Sequence, residues 1–184
     1  MLFRSTQGGS SLTQQYVKNV LLLQAQEDND PIAEYHASEE TVARKLREML
    51  IAVQMEKTYS KLEILQGYLN IAQFGRGIYG VEMAARRYFS TTADKLDIVQ
   101  AATIAAITKN PAAFDPSVES NQKASQRERN IVLDLMYQEE YISQKQRDEA
   151  KAKPLKDTLK LQDAQAGCSA SGDAAFFCDY VTKK

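Results

Sequence analysis

The chain has 184 residues, 43% hydrophobic and 26% charged, with 23 Lys and Arg against 24 Asp and Glu for a net charge of −1. A domain of that size buries roughly 70% of its unfolded surface and needs no disulfide or metal to hold a core. The balance excludes a globally cationic nucleic-acid binder, and no apolar run, Val20 to Leu23 among them, approaches the roughly 20 residues of a membrane span.

Taken in order, Gly8-Gly9-Ser10-Ser11 runs straight into helical periodicity, which is how a loop opens a helix close to a ligand. A helix is expected from Ser11 to Gln26, with Gln14, Gln15, Lys18 and Asn19 in its first turns. Such a polar opening exceeds what a cap alone requires. The acidic, turn-rich stretch Glu27 to Ala37 reads as a mobile surface segment, and its lone His36 as a solvated residue. Ser38 is expected to cap a long helix reaching Thr58, with Val42, Leu46, Met49, Leu50 and Val53 at helical spacing and Arg44 and Lys45 within reach of Glu48. Between Thr41 and Lys61 five cations face two carboxylates, a local excess of +3.

Ser60-Lys61-Leu62-Glu63 is a capping box for a helix that packs through Ile64, Leu65, Tyr68, Leu69 and Ile71 and stops near Phe74. Gly75, Gly77 and Gly80 then form a loop, followed by a short helix from Val81 to Phe89. Asp97 to Gln100 is a second capping box, opening an Ala-rich helix that Asn110-Pro111 ends. A helix from Glu119 to Tyr137 and a short polar one from Ser143 to Pro154 complete the pattern. Residues Lys156 to Gly172 read as a linker, and no strand alternation or internal repeat occurs. The fold class is therefore all-α, about seven helices in one domain. Cys168 and Cys178 would close a small disulfide loop in an exported protein and be two idle thiols in a cytosolic one.

Three polar features stand out: the Gly/Ser/Gln/Lys loop and helix, the Arg44-Lys45-Leu46-Arg47-Glu48 face, and Arg129. Cations converging beside a helix N-terminus describe a phosphate or pyrophosphate site. Glu48 taken alone is a surface ion-pair partner worth about 0.3–0.5 kcal/mol. These segments, GGSSLTQQYVKN, RKLRE, KLEILQGYLN with FGRGIYG, and RNIVL from Arg129 to Leu133, stand in the order and spacing of the peptidoglycan glycosyltransferases, glycosyltransferase family 51. The chain resembles that family from Ser5 to Leu155, as the domain occurs in class A penicillin-binding proteins; residues 1–155 would be the glycosyltransferase domain. The stretch around Cys168 and Cys178 is similar to the linker that leads to a transpeptidase domain in actinobacterial members, which makes 156–184 that linker and favours the disulfide.

The resemblance implies a lysozyme-like helical transglycosylase domain, working on the outer face of the cytoplasmic membrane with a hydrophobic part that touches the membrane surface. Its substrates would be lipid II and the nascent glycan strand, with no nucleic-acid partner. Carried over by position, Ser10, Gln14, Gln15 and Lys18 would contact the donor's sugar and phosphates. Arg44, Lys45 and Arg47 would contact the pyrophosphate, Arg129 would support the same region, and Glu48 would be the catalytic carboxylate that positions those cations or helps a divalent cation, Mg or Mn, assist departure. No metal ligand set is implied.

Departures from the family pattern carry equal weight. The upstream Glu-Asp-x-x-Phe motif that supplies the general base is absent, and the first acidic residue of any kind is Glu27. Loss of a positioned base removes typically 10²–10⁴-fold in rate, so the chain alone is expected to bind substrate and to be inactive. Gln66 and Glu128 stand where glutamate and arginine are usual, and the acidic stretch before Ala37 is not expected to insert deeply into a membrane. A non-catalytic lipid II or cell-wall scaffold is the competing expectation. A lysozyme-like hydrolase would need a protonated carboxylic acid at the scissile bond, and Glu48 lies among cations.

Overall fold

The computed structural model describes residues 10–162. Gly8 and Gly9 of the opening loop, and Cys168 and Cys178 of the expected disulfide, lie outside the described residues. Within them the chain forms nine α-helices: α1 Leu12–Glu27, α2 Pro31–Ser38, α3 Val42–Thr58, α4 Lys61–Ile71, α5 Val81–Phe89, α6 Ile98–Ile107, α7 Gln122–Gln138, α8 Gln144–Ala152 and α9 Leu155–Thr158. Short 3₁₀ turns at Ala93–Lys95 and Glu119–Asn121 precede α6 and α7. The sole extended pairing among the described residues is an isolated antiparallel bridge between Gln73 and Tyr79. The all-α expectation holds.

Helix starts follow the caps. Ser11 and Gln14, Ser60 and Glu63, Asp97 and Gln100, and Ser143 and Gln146 each form a reciprocal capping box at the head of α1, α4, α6 and α8. Each satisfies two orphan N–H groups. The expected mobile segment is instead partly helical, because Asp30 Oδ1 accepts the N–H groups of Ile32 and Ala33 at 3.0 Å and Pro31 fills the first helical position. Ser38 consequently ends α2, and Thr41 is the cap of α3. Helix α4 stops at Ile71, three residues early. The chain then closes a tight loop with Phe74 N–H on Ile78 O at 2.8 Å and Gly80 N–H on Ala72 O at 2.9 Å.

That loop needs glycine at Gly75, whose φ of +151° is rarely adopted by L side chains and whose added Cβ would lie 2.8 Å from Asp115 Oδ2. Asp115 is buried and fixes the loop from below by accepting Arg76 N–H at 3.3 Å. Tyr88, donating to Phe74 O at 2.7 Å, is pushed above its ordinary phenol range chiefly by burial.

The core has two parts joined at α6, which is apolar all round. Tyr68, Phe74, Ile78, Ala84, Tyr88, Phe89, Ile104 and Ile107 fill the space between α4, α5, the glycine loop and α6. Val99, Ala102, Leu133, Ile142 and Ala150 fill the space between α6, α7 and α8. Helix α1 packs on α2, α3 and α4 and so fastens the N-terminal layer to the first core. The segment from 156 to 162, expected to begin a linker, stays on the domain: Leu155 is buried, Lys160 N–H donates to Tyr88 O at 2.8 Å and Gln162 N–H to Arg87 O at 2.9 Å.

Helix α3 is turned the other way from its apolar pattern. Val42 and Leu50 are 76% and 70% exposed, while Arg44 and Glu48 are 7% and 4% exposed and Ala52 is buried. The small Ala52 lets the helix approach α1, and the charged pair is satisfied internally.

Helix α1 is seated on α4 by a close approach: a Cβ added at Gly67 would lie 2.6 Å from Tyr16 Cζ, and the Tyr16 ring packs against the first core. Gly67→Ala should therefore destabilise the protein by about 1–3 kcal/mol through overpacking, opposite in sign to the roughly 1 kcal/mol gain of Gly→Ala in an open helix interior. Urea denaturation reads the sign directly.

Candidate anion-binding cleft between α1 and α3

Ser10 and Gln14 at the head of α1 and Val42, Lys45, Leu46, Glu48 and Met49 of α3 line a cleft of about 210 Å³. It shares Val42 and Lys45 with a second cleft of about 360 Å³, completed by Glu40, Thr41 and Arg44. The sequence-predicted Ser10, Gln14, Lys45 and Glu48 thus meet across two helices separated by more than one turn of chain. Gln15 and Lys18 lie on α1 beside Gln14, Gln15 exposed and Lys18 half-buried; Lys18 is one helical turn beyond the two carboxamides.

Arg44 is not a free cation. Its Nη1 donates to Glu48 Oε1 in a buried ion pair, and its Nε donates to the Glu39 carbonyl at the end of α2. The guanidinium therefore holds the Glu48 carboxylate in one orientation at the cleft wall, with α2 bracing it. Two further residues that sequence reasoning missed set the geometry. Thr13, buried on α1, donates to Glu56 Oε1 of α3 at 2.5 Å and fixes the two walls relative to each other. Tyr68 of α4 donates to Gln15 Oε1 at 3.4 Å. Their signal was invisible in the chain, since the partners stand 43 and 53 residues apart.

Four predicted site residues do not line this cleft or the adjoining one: Gln15 and Lys18, which stand beside it on α1, and Arg47 and Arg129, which lie elsewhere. Arg47 projects from the other side of α3 into a separate cleft of about 350 Å³ lined by Leu21, Gln24, Ala25, Asp28, Ala33, His36 and Ala37. Two residues on from Lys45, it is rotated about 200° around the helix, and tertiary packing put another cleft there. Arg129 is 0% exposed on α7, which packs on α6, α8 and α9. Its Nε and Nη2 donate to Asn130 Oδ1 at 3.1 and 2.8 Å, and burial lowers its pKa. Glu128, the departure beside it, pairs with Lys109 at 2.9 Å. His36 lies 3.4 Å from Glu39 Oε1 on an exposed turn of α2 and away from the α1–α3 cleft.

What the cleft can do follows from its groups. Amide and ammonium donors beside a helix N-terminus stabilise an anion, and a charge that develops as a leaving group departs is stabilised the same way. A divalent cation finds one carboxylate there, Glu48, already paired with Arg44. Among the described residues no group of three His, Cys, Asp or Glu side chains comes together to hold a metal, so no step is derived through one.

Residues 2–137 match the family model described as Transglycosylase. The chain belongs to the transglycosylase family. The lysozyme-like helical fold goes with that membership. Penicillin-binding protein 1A of Aquifex aeolicus is 40% identical over 152 residues, 83% of this transglycosylase chain and 19% of the relative. Penicillin-binding protein 1A/1B of Bacillus subtilis is 36% identical over 97% of the chain and 18% of its own length, and penicillin-binding protein 1A of Mycobacterium tuberculosis is 37% identical over 74% and 15%. These identities do not single out the actinobacterial relative. The transglycosylase chain spans about a fifth of the length of the curated relatives it matches.

Removing Arg44 should leave a buried carboxylate unpaired. Arg44→Met is expected to destabilise the transglycosylase domain by about 3 kcal/mol, and the double variant Arg44→Met with Glu48→Leu to recover most of that loss. Chemical denaturation of the four proteins closes the cycle.

Proposed function

We propose that this domain is the peptidoglycan glycosyltransferase of a class A penicillin-binding protein, polymerising lipid II into β-1,4 glycan with release of undecaprenyl pyrophosphate at the outer face of the cytoplasmic membrane. The observation that supports it is the cleft in which the α1 N-terminus, Gln14 and Lys45 meet beside the Arg44-held Glu48. In the reaction the sugar C1–oxygen bond to pyrophosphate breaks, the acceptor 4-oxygen bonds to C1, and the hydroxyl proton goes to a base. Ser10, Gln14, Gln15 and Lys18 would hold the donor's sugar and phosphates, and Lys45 would meet the charge left on the departing pyrophosphate. Arg44 acts through Glu48, and Glu48 keeps the neighbouring cations in place.

The membrane-surface part of the reading draws on the exposed apolar side chains of α3, among them Val42, Leu46, Leu50 and Val53, which run beside the cleft where a substrate's lipid would lie. No helix among the described residues is long and apolar enough to cross a membrane. A transpeptidase domain in the parent protein and a linker role for the residues after 162 belong to the same proposal, supported by the small share of each relative that the chain spans.

Among the described residues Glu48 is the sole carboxylate lining the 210 Å³ cleft, and it is already neutralised by Arg44. The chain by itself should therefore capture lipid II without polymerising it. Incubated with labelled lipid II, it is expected to bind and give no glycan, whereas a version extended upstream with a Glu-Asp-x-x-Phe motif polymerises. Polymer from the chain alone would overturn the inactivity, and polymer from neither would favour a scaffold. Lys18→Ala and Lys45→Ala should each weaken capture by roughly tenfold or more, the worth of one charged hydrogen bond; unchanged affinity in both removes the site.

A further inference from the structure

Both carboxamides at the head of α1 have their oxygens engaged by hydrogens of the protein itself. Gln14 Oε1 accepts the Ser11 N–H at 3.0 Å within the capping box, and Gln15 Oε1 accepts the Tyr68 hydroxyl. Tyr68 is a buried member of the first core, and burial raises its pKa, so the hydroxyl stays protonated and donates. A carboxamide has one acceptor end and one donor end. With the oxygens engaged, the NH₂ groups are what remain for a ligand, alongside the ammonium groups of Lys18 and Lys45.

We propose that the Ser11 N–H and the Tyr68 hydroxyl hold the oxygens of Gln14 and Gln15, so that both carboxamides present their NH₂ ends to the ligand and Tyr68 is a positioning residue for Gln15. The ligand group at this point must then carry lone pairs and no competing proton, as the ionised oxygens of a pyrophosphate do. The ligand's identity rests on the function proposed above, while the orientation of the two amides stands on the hydrogen bonds alone. Gln14 has two roles that can be separated. A capping box accepts Glu as readily as Gln, and a carboxylate near a helix N-terminus is favoured electrostatically; Glu63 fills that position in α4. Gln146 fills it in α8. Gln14→Glu keeps the cap and replaces the outward donor by an acceptor, whereas Gln146→Glu changes a cap remote from the cleft.

The test uses the chain as it stands, with farnesyl pyrophosphate as the probe. Gln14→Glu should match Gln146→Glu in thermal stability yet bind at least tenfold more weakly, and Gln15→Glu should lose binding while keeping its acceptor for Tyr68. Tyr68→Phe should weaken binding about three- to tenfold, the worth of one neutral hydrogen bond, with no further loss in a Gln15→Ala background. Relaxation of the Gln15 side-chain NH₂ by NMR should show it loosened in Tyr68→Phe, a readout that needs no ligand. An equally ordered Gln15 amide in Tyr68→Phe, or a Tyr68→Phe loss that persists in full beside Gln15→Ala, overturns the inference. Absence of probe binding by the unmodified chain overturns the proposed ligand instead, and the NMR comparison then decides the orientation.

Discussion

The buried ion pair of Arg44 with Glu48 is the constraint on which the functional half of the domain depends. A charge taken out of water is tolerated only when it is paired and its remaining hydrogen-bonding groups are satisfied. Here the helix spacing of four residues supplies the pair, and the Glu39 carbonyl supplies a further acceptor for the guanidinium. With the polar face of α3 thus occupied inward, its apolar residues have to face out. Its net contribution to stability is small by the balance of desolvation and attraction; what it sets is the orientation of α3 and of the Glu48 carboxylate in the cleft.

Helix α1 carries that orientation into the rest of the molecule. Tyr16 sits over Gly67 of α4, Thr13 reaches Glu56 of α3, and Gln15 takes the Tyr68 hydroxyl. Thr13 meets α3 while Gln15 and Tyr16 both meet α4, so α1 is held against two neighbours, in rotation as well as position. That matters chemically, because a rotation of one residue, about 100°, would swing Gln14 and Lys18 out of line. The C-terminal half, by contrast, is ordinary apolar packing around α6, and the site takes nothing from it beyond a rigid seat for α4 and α5.

Much of the fold was legible locally. The four capping boxes and the Pro and Gly breaks are interactions over three or four residues, and the chain's own text contains both partners. The start of α2 was equally written in Asp30-Pro31, but the acidic composition around it outweighed that one cap. The site was legible in part. Ser10, Gln14, Lys45 and Glu48 were named from motifs and do share a cleft, whereas Arg47 and Arg129 were named by the same route and face elsewhere. Residue type and spacing identify cations suited to phosphate. They do not say which side of a helix is covered, since that depends on partners distant in the chain.

By itself, then, the sequence determined the helical class, most helix starts, and the membership that its ordered motifs announced, all of which rest on short-range backbone chemistry or on pattern. Tertiary structure alone decided which face of α3 is inside, that the Arg44–Glu48 pair is buried, that Arg129 is fully enclosed, and that Tyr68 orients Gln15. Those outcomes depend on burial and on hydrogen bonds between groups tens of residues apart, and an amphipathic pattern cannot reveal them when the buried face is the charged one.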